Sequence, residues 1–243
     1  MSRILHKRPL PEPGRVTIRR MIEPPESRLY AWTELHAMAM LAGGIAVAGG
    51  LPGASCYVPA AVSFILLAYV FRNAWSPGGR FGAANAITAF RFLLVGGLLL
   101  DGAITADWQA LAATLILLLD GLDGWLARRL GLASRFGATF DMEVDAFFTL
   151  ALCVALYGSG RFGMWILLPG ALRYLFVLFT RLARPPLRRA RSNRWSRAIG
   201  AIVLSGLTAS LLPIGTWAAA IAAVVTCAVI GSFAASIWQL YHP

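Results

Sequence analysis

The chain has 243 residues, of which 58% are hydrophobic and only 14% charged. Soluble domains carry about 25% charged residues, so an ordinary soluble fold is excluded and the bilayer becomes the relevant solvent. The formal net charge of +11 is read as a topological and lipid-contacting excess and not as a nucleic-acid footprint, because basic residues of membrane proteins gather on the cytoplasmic side.

Residues 1–34 are polar and broken by Pro9, Pro11, Pro13, Pro24 and Pro25. They hold no apolar run long enough for a signal-peptide core, and a basic cytoplasmic arm is expected. Apolar segments then follow at about 35–52, 57–73, 85–102, 107–126, 137–158, 162–182, 195–213 and 216–240, gauged against the ~20 residues that span a bilayer. The expectation is an all-α integral membrane protein with about eight transmembrane helices. Residues 35–84 are two extra N-terminal helices with their loop, and residues 85–243 are a six-helix catalytic core.

Charge placement tests that count. Nineteen of the 22 Lys and Arg residues fall in the arm and in the loops 72–84, 127–136 and 181–197. The opposite loops hold Arg161 alone, while Arg91 and Arg173 lie inside helices. This asymmetry makes the arm, those loops and the C-terminus cytoplasmic. Small residues such as Gly43, Gly44, Gly96 and Gly97 permit close helix approach, within the chain or at a homodimer seam. Cys56, Cys153 and Cys227 sit singly at apolar positions and read as small buried hydrophobes. His6, His36 and His242 form no ligand pair and are expected in the arm or at the membrane boundary.

The informative residues are carboxylates where hydrocarbon should be. Asp120 and Asp123 are three apart at the end of the fourth segment, and Asp141 and Asp145 four apart at the start of the fifth. On helices both spacings put the pair on one face, and the short 127–136 loop makes the two helices antiparallel neighbours. Gly124, Ala127 and Gly137 share those faces, leaving a floor without bulk where another molecule can approach the backbone. An Asp at a membrane-helix centre costs about 2.5–3.5 kcal/mol, so four clustered anions require counter-charge. Oxygen-only ligands select hard cations such as Mg²⁺, Mn²⁺ or Ca²⁺. Two divalent ions would balance four carboxylates and welcome a phosphate, as in two-metal phosphoryl chemistry.

The stretch from Asp120 and Asp123 through Gly124, Ala127, Arg128 and Gly137 to Asp141 and Asp145 resembles, position for position, the signature of the CDP-alcohol phosphotransferase family, integral membrane enzymes of phospholipid synthesis. The resemblance implies a transferase that moves a substituted phosphoryl group from a CDP-linked donor, expected to be CDP-diacylglycerol, to an alcohol acceptor with release of CMP. It implies two divalent ions, Mg²⁺ or Mn²⁺, on Asp120, Asp123 and Asp141. Asp145 would complete that site or act as the general base. Gly124, Ala127 and Gly137, with Asp123, would line the cytidine nucleotide pocket, Arg128 near its phosphates and Ser134 on the diphosphate. Asn85, Thr88 and Arg91 resemble the family's Asn-x2-Thr-x2-Arg pattern near the nucleotide; the other reading is a helix cap with a snorkelling Arg.

Two features bear on the acceptor. Arg173 lies inside the sixth segment, and the 181–197 loop carries seven arginines and no acid. Arg173, Arg191 and Arg194 are the candidates for an anionic acceptor such as glycerol phosphate or inositol phosphate. The other readings are lipid contact for the loop and an internal ion pair, with Asp145, for Arg173. Glu143 lies off the Asp141–Asp145 face and either pairs with a loop Arg or touches the acceptor. A soluble CDP-alcohol donor with a lipid alcohol acceptor, or a divalent-cation transporter, are the alternatives. A homodimer in a bacterial or archaeal inner or plasma membrane is expected, with its active site and both termini cytoplasmic.

Overall fold

The structure, a computed structural model, describes residues 26–76, 79–99, 105–129, 134–183 and 194–241, with side chains described there except at 26, 123–128, 194–198, 240 and 241. Among the described residues there are eight helices and no strand: α1 (Glu26–Ala48), α2 (Ala54–Val70), α3 (Gly82–Leu98), α4 (Ala106–Arg129), α5 (Arg135–Gly158), α6 (Leu168–Ala183), α7 (Arg194–Leu211) and α8 (Thr216–Tyr241). A 3₁₀ turn over Arg72–Ala74 follows α2, and another over Met164–Leu167 leads into α6.

The expected segments match these helices to within a few residues, except at the N-terminus. There α1 begins at Glu26, directly after Pro24 and Pro25. Its first turns are polar, and hydropathy registers only the apolar part of a helix, so residues 26–34 read as arm although they are helical. The remainder of the expected arm, residues 1–25, lies outside the described residues.

The outer surface suits lipid. On α4, Trp108, Leu111, Leu115, Leu118 and Leu122 are all exposed, and their alternating three- and four-residue spacing draws one continuous apolar stripe along the helix. Ser27–Ala48, Met164–Ala183 and Thr216–Gln239 are long and apolar enough to cross a membrane. At 17 residues each, α2 and α3 reach about 25 Å, short of the ~30 Å hydrocarbon core. The molecule is a helical membrane protein.

Helix α5 is its axis, packed against α3 on one side and α6 and α7 on others. Every residue from Leu150 to Leu156 is buried. The N-terminal pair is built into the bundle: α1 lies against α2 and α6. Phe64 of α2 meets Phe92 of α3 at 4.9 Å and Phe140 of α5 at 5.6 Å between ring centroids. The sixth helix comes so close to α5 that a Cβ at Gly170 would stand 2.7 Å from the Leu150 Cα. Backbone cannot move aside as a flexible side chain can. Gly170→Ala is therefore expected to destabilise the protein by about 1–3 kcal/mol through overpacking. Thermal unfolding in detergent checks this, and an unchanged midpoint would contradict it.

Arg161 donates to the carbonyls of Ser210, Leu211 and Leu212 at 3.0–3.1 Å, satisfying acceptors that the end of α7 leaves open. His36 departs from expectation. It is buried at 1% exposure, stacked on Trp32, with Nδ1 2.9 Å from the Ser63 hydroxyl. Its position is internal because it faces the α1–α2 seam, not the membrane boundary. Cys56 and Cys153 are buried as expected, whereas Cys227 is exposed on α8.

Candidate functional site

The site is organised by the start of α5. Ser134 caps that helix: its Oγ accepts from the Gly137 amide at 2.9 Å and donates to the Trp75 carbonyl at 2.8 Å. The side-chain oxygen thus takes one of the four amides that a helix start leaves unmatched. The Asn85 Nδ2 donates to the same Trp75 carbonyl at 3.0 Å and to the Phe81 carbonyl at 2.6 Å. One carbonyl therefore ties together the loop before α3, the first turn of α3 and the first turn of α5. A Cβ on Gly137 would lie 2.9 Å from Asn85 Oδ1 and 3.2 Å from Ser134 Oγ. Glycine is what lets these two polar side chains close over the α5 backbone.

Above that knot the carboxylates converge. Oxygens of Asp120 from α4 and of Asp141 and Asp145 from α5 lie within 4.8 Å of one another. Arg91 from α3 sits among them, 2.9 Å from Asp120 and 2.9 Å from Asp141, and in contact with Asp145. Its side chain is fully buried, while those of the three acids remain 32–38% exposed. The arginine thus backs the cluster and the acids face outward, open to a ligand.

Arg91 does not snorkel. Asn85, Thr88 and Arg91 are all buried on one stripe of α3. Thr88 donates to the Ala84 carbonyl at 3.2 Å. The formal charge of the three acids with Arg91 is −2, so counter-charge is still wanted. Hard, all-oxygen donors a few ångströms apart fit a divalent cation such as Mg²⁺ or Mn²⁺. Asp123, Gly124, Ala127 and Arg128 continue the α4 helix, but their side chains lie outside the described residues.

Arg173 is paired with Glu143 at 2.6 Å, not with Asp145. The reason is rotational: Glu143 is off the acid face of α5 and turns toward α6, where it is fully buried. Arg173 also borders a cavity of about 500 Å³ between α1, α5 and α6, with Arg135, Thr139 and Thr180 in its wall. Arg135 and Thr139 were not among the candidates; their signal was only a basic residue and a hydroxyl one turn apart at the start of the acid-bearing helix. Arg191 lies outside the described residues, and Arg194 opens α7 with its side chain undescribed.

A helical membrane protein whose bundle draws three carboxylates from two helices to within 4.8 Å of one another belongs to a narrow class. Residues 81–231 match the CDP-alcohol phosphatidyltransferase family, and the chain belongs to that family. Its curated relatives include the CDP-diacylglycerol--glycerol-3-phosphate 3-phosphatidyltransferases of Escherichia coli (strain K12), Shigella flexneri serotype 5b (strain 8401) and Shigella sonnei (strain Ss046). Each is 31% identical over 96 residues, covering 38% of this chain and 52% of the relative. The chain thus spans about half the length of the curated relatives it matches. α1 and α2 lie outside the family match.

Proposed function

We propose that this protein transfers a phosphatidyl group from a CDP-linked lipid, with CDP-diacylglycerol the expected donor, to an alcohol acceptor and releases CMP. The observation that carries this reading is the convergence of Asp120, Asp141 and Asp145 within 4.8 Å in a chain of this family.

Asp120, Asp123, Asp141 and Asp145 would hold two divalent ions, which supply charge to offset the negative diphosphate and the departing CMP. Asp145 accepts the proton of the acceptor hydroxyl. The freed oxygen attacks the phosphorus that carries the lipid, and the bond from that phosphorus to CMP breaks. Arg91 keeps the three acids together and limits their mutual repulsion. Asn85, Thr88, Ser134 and Gly137, with Asp123, Gly124, Ala127 and Arg128 of α4, form the nucleotide end. Support for that end is that Asn85 and Ser134 are tied to one carbonyl, that of Trp75, at the start of the helix that carries Asp141 and Asp145. Catalysis of this kind is mostly positioning and charge stabilisation.

The cavity beside Arg173 is the acceptor's place in this reading. Ala138 and Met142 line it, and each is three residues from an acid of the Asp141–Asp145 stripe. Neighbouring helical positions of that spacing are about 5–6 Å apart between Cβ atoms, so the cavity adjoins the carboxylates. The basic loops 72–84, 127–136 and 181–197 support an active site on the cytoplasmic side.

The test supplies CDP-diacylglycerol, Mg²⁺ or Mn²⁺ and a panel of alcohols to the purified protein, and follows CMP release and the lipid product. Acceptor-dependent CMP release that stops on adding EDTA is expected. A chain that binds cytidine nucleotide yet releases no CMP with any acceptor would overturn the reading.

A further inference from the structure

The family match begins at residue 81, yet a helix that precedes it forms one side of the cavity next to the acids. Tyr30, Thr33 and Glu34 of α1 face this space across from Arg135 of α5 and Arg173 of α6. The helix is fastened there. Glu34 is ion-paired with Arg181 of α6. Two turns of α1 are also stitched to α2, since Trp32 Nε1 donates to the Ser63 carbonyl at 3.1 Å and His36 meets the Ser63 hydroxyl. A wall held from two sides keeps its side chains in place, which selective binding requires.

The chemistry of the space is specific. It presents two guanidinium groups together with the hydroxyls of Thr33, Thr139 and Thr180. Arg173 gives one terminal nitrogen to Glu143, and its side chain stays 27% exposed where it borders the cavity. An anionic oxygen in that space therefore has a guanidinium within reach. Thr33 spends its proton on the Leu29 carbonyl at 3.0 Å. Its oxygen therefore offers lone pairs, and the complementary ligand group there is a hydroxyl. Two guanidinium groups at one wall against a hydroxyl oxygen open to a donor at the other describe a small phosphorylated polyol.

We infer that α1 is the selectivity wall of the acceptor cavity: with the acceptor's phosphate on Arg173 and Arg135, Thr33 and Tyr30 meet its far hydroxyls and choose among phosphorylated polyols. This inference rests on the transferase reading above. It adds that the N-terminal helices belong to the substrate site and are more than an anchor. An uncharged lipid alcohol offers the two guanidinium groups no anionic oxygen, so it is the disfavoured acceptor.

The experiment compares glycerol phosphate, inositol phosphate and diacylglycerol as acceptors for the wild-type protein and for Thr33→Val, Thr33→Ser and Tyr30→Ala. Thr33→Val keeps the shape and removes the hydroxyl, whereas Thr33→Ser does the reverse. Tyr30 is 66% exposed, so shortening it leaves packing intact. In Thr33→Val the ratio of kcat/KM between the two phosphorylated acceptors is expected to shift by about five- to tenfold, the worth of one uncharged hydrogen bond. The shift should appear in the acceptor KM, with the donor KM and CMP affinity unmoved, and Thr33→Ser should restore the wild-type ratio. An active wild-type protein whose acceptor ratio is the same in all three variants would overturn the role of α1 alone. So would a Thr33→Val protein in which the acceptor and donor constants fall together, because that marks a purely structural contribution. Preference of the wild type for diacylglycerol would overturn the assigned substrate class. A wild type that releases no CMP with any acceptor would instead overturn the transferase reading.

Discussion

Replacing Asp145 by asparagine is expected to lower CMP release by about 10²- to 10⁴-fold, the usual contribution of a positioned general base. Asparagine has the same shape but cannot take a proton from an attacking hydroxyl. The fold should survive, because Arg91 keeps its contacts with Asp120 and Asp141 at 2.9 Å. Helical circular dichroism and the thermal midpoint report on that survival, and CMP release under saturating donor and acceptor reports on the chemistry. Near wild-type turnover in Asp145→Asn would remove the base assignment while leaving the carboxylate cluster as a cation site.

The second large effect is expected at Arg91. Arg91→Met retains most of the side chain's volume but leaves three carboxylates within 4.8 Å of one another without their shared cation. Removing one partner of a buried ion pair costs about 3–5 kcal/mol. Because the acids are about one-third exposed, solvent screening reduces the expected loss to roughly 2–3 kcal/mol. The loss should be largest in EDTA and should shrink when Mg²⁺ or Mn²⁺ is added, since a divalent ion supplies the missing positive charge. Thermal unfolding of both proteins with and without divalent ions measures this. Equal midpoints for Arg91→Met and wild type in EDTA would show that the acids do not depend on the arginine.

The acids were legible in the sequence because both pairs have helical spacing and stand where hydrocarbon is expected. The two acid-bearing helices, expected to be direct neighbours across their short loop, instead both pack mainly on α3, and that shared packing brings Asp120 together with Asp141 and Asp145. Arg91 was harder to place. It lies on α3, fifty residues before Asp141, and spacing within one helix says nothing about which neighbour it faces. Its cationic partnership with the acids needed the packing of α3 on α4 and α5. The pairing of Glu143 with Arg173 was hidden for the same reason: helical rotation excludes Glu143 from the acid face but does not name the helix it turns toward. The start of α1 was obscured by its polarity, and with it the Tyr30, Thr33 and Glu34 side of the cavity. His36 was misplaced because a lone histidine near an apolar segment reads as interfacial, whereas stacking on Trp32 and a tilted contact with Phe64 hold it inside.

The unbroken concealment of Leu150 to Leu156 limits how the molecule can associate. A helix wrapped by its own neighbours through two full turns has no face left for another protein. Any second copy of the chain must therefore dock through the periphery, where α4 and α8 present outward rows of large apolar side chains such as Leu118 and Trp217. Assembly of that kind would leave the C-terminal half of α5 undisturbed in each copy.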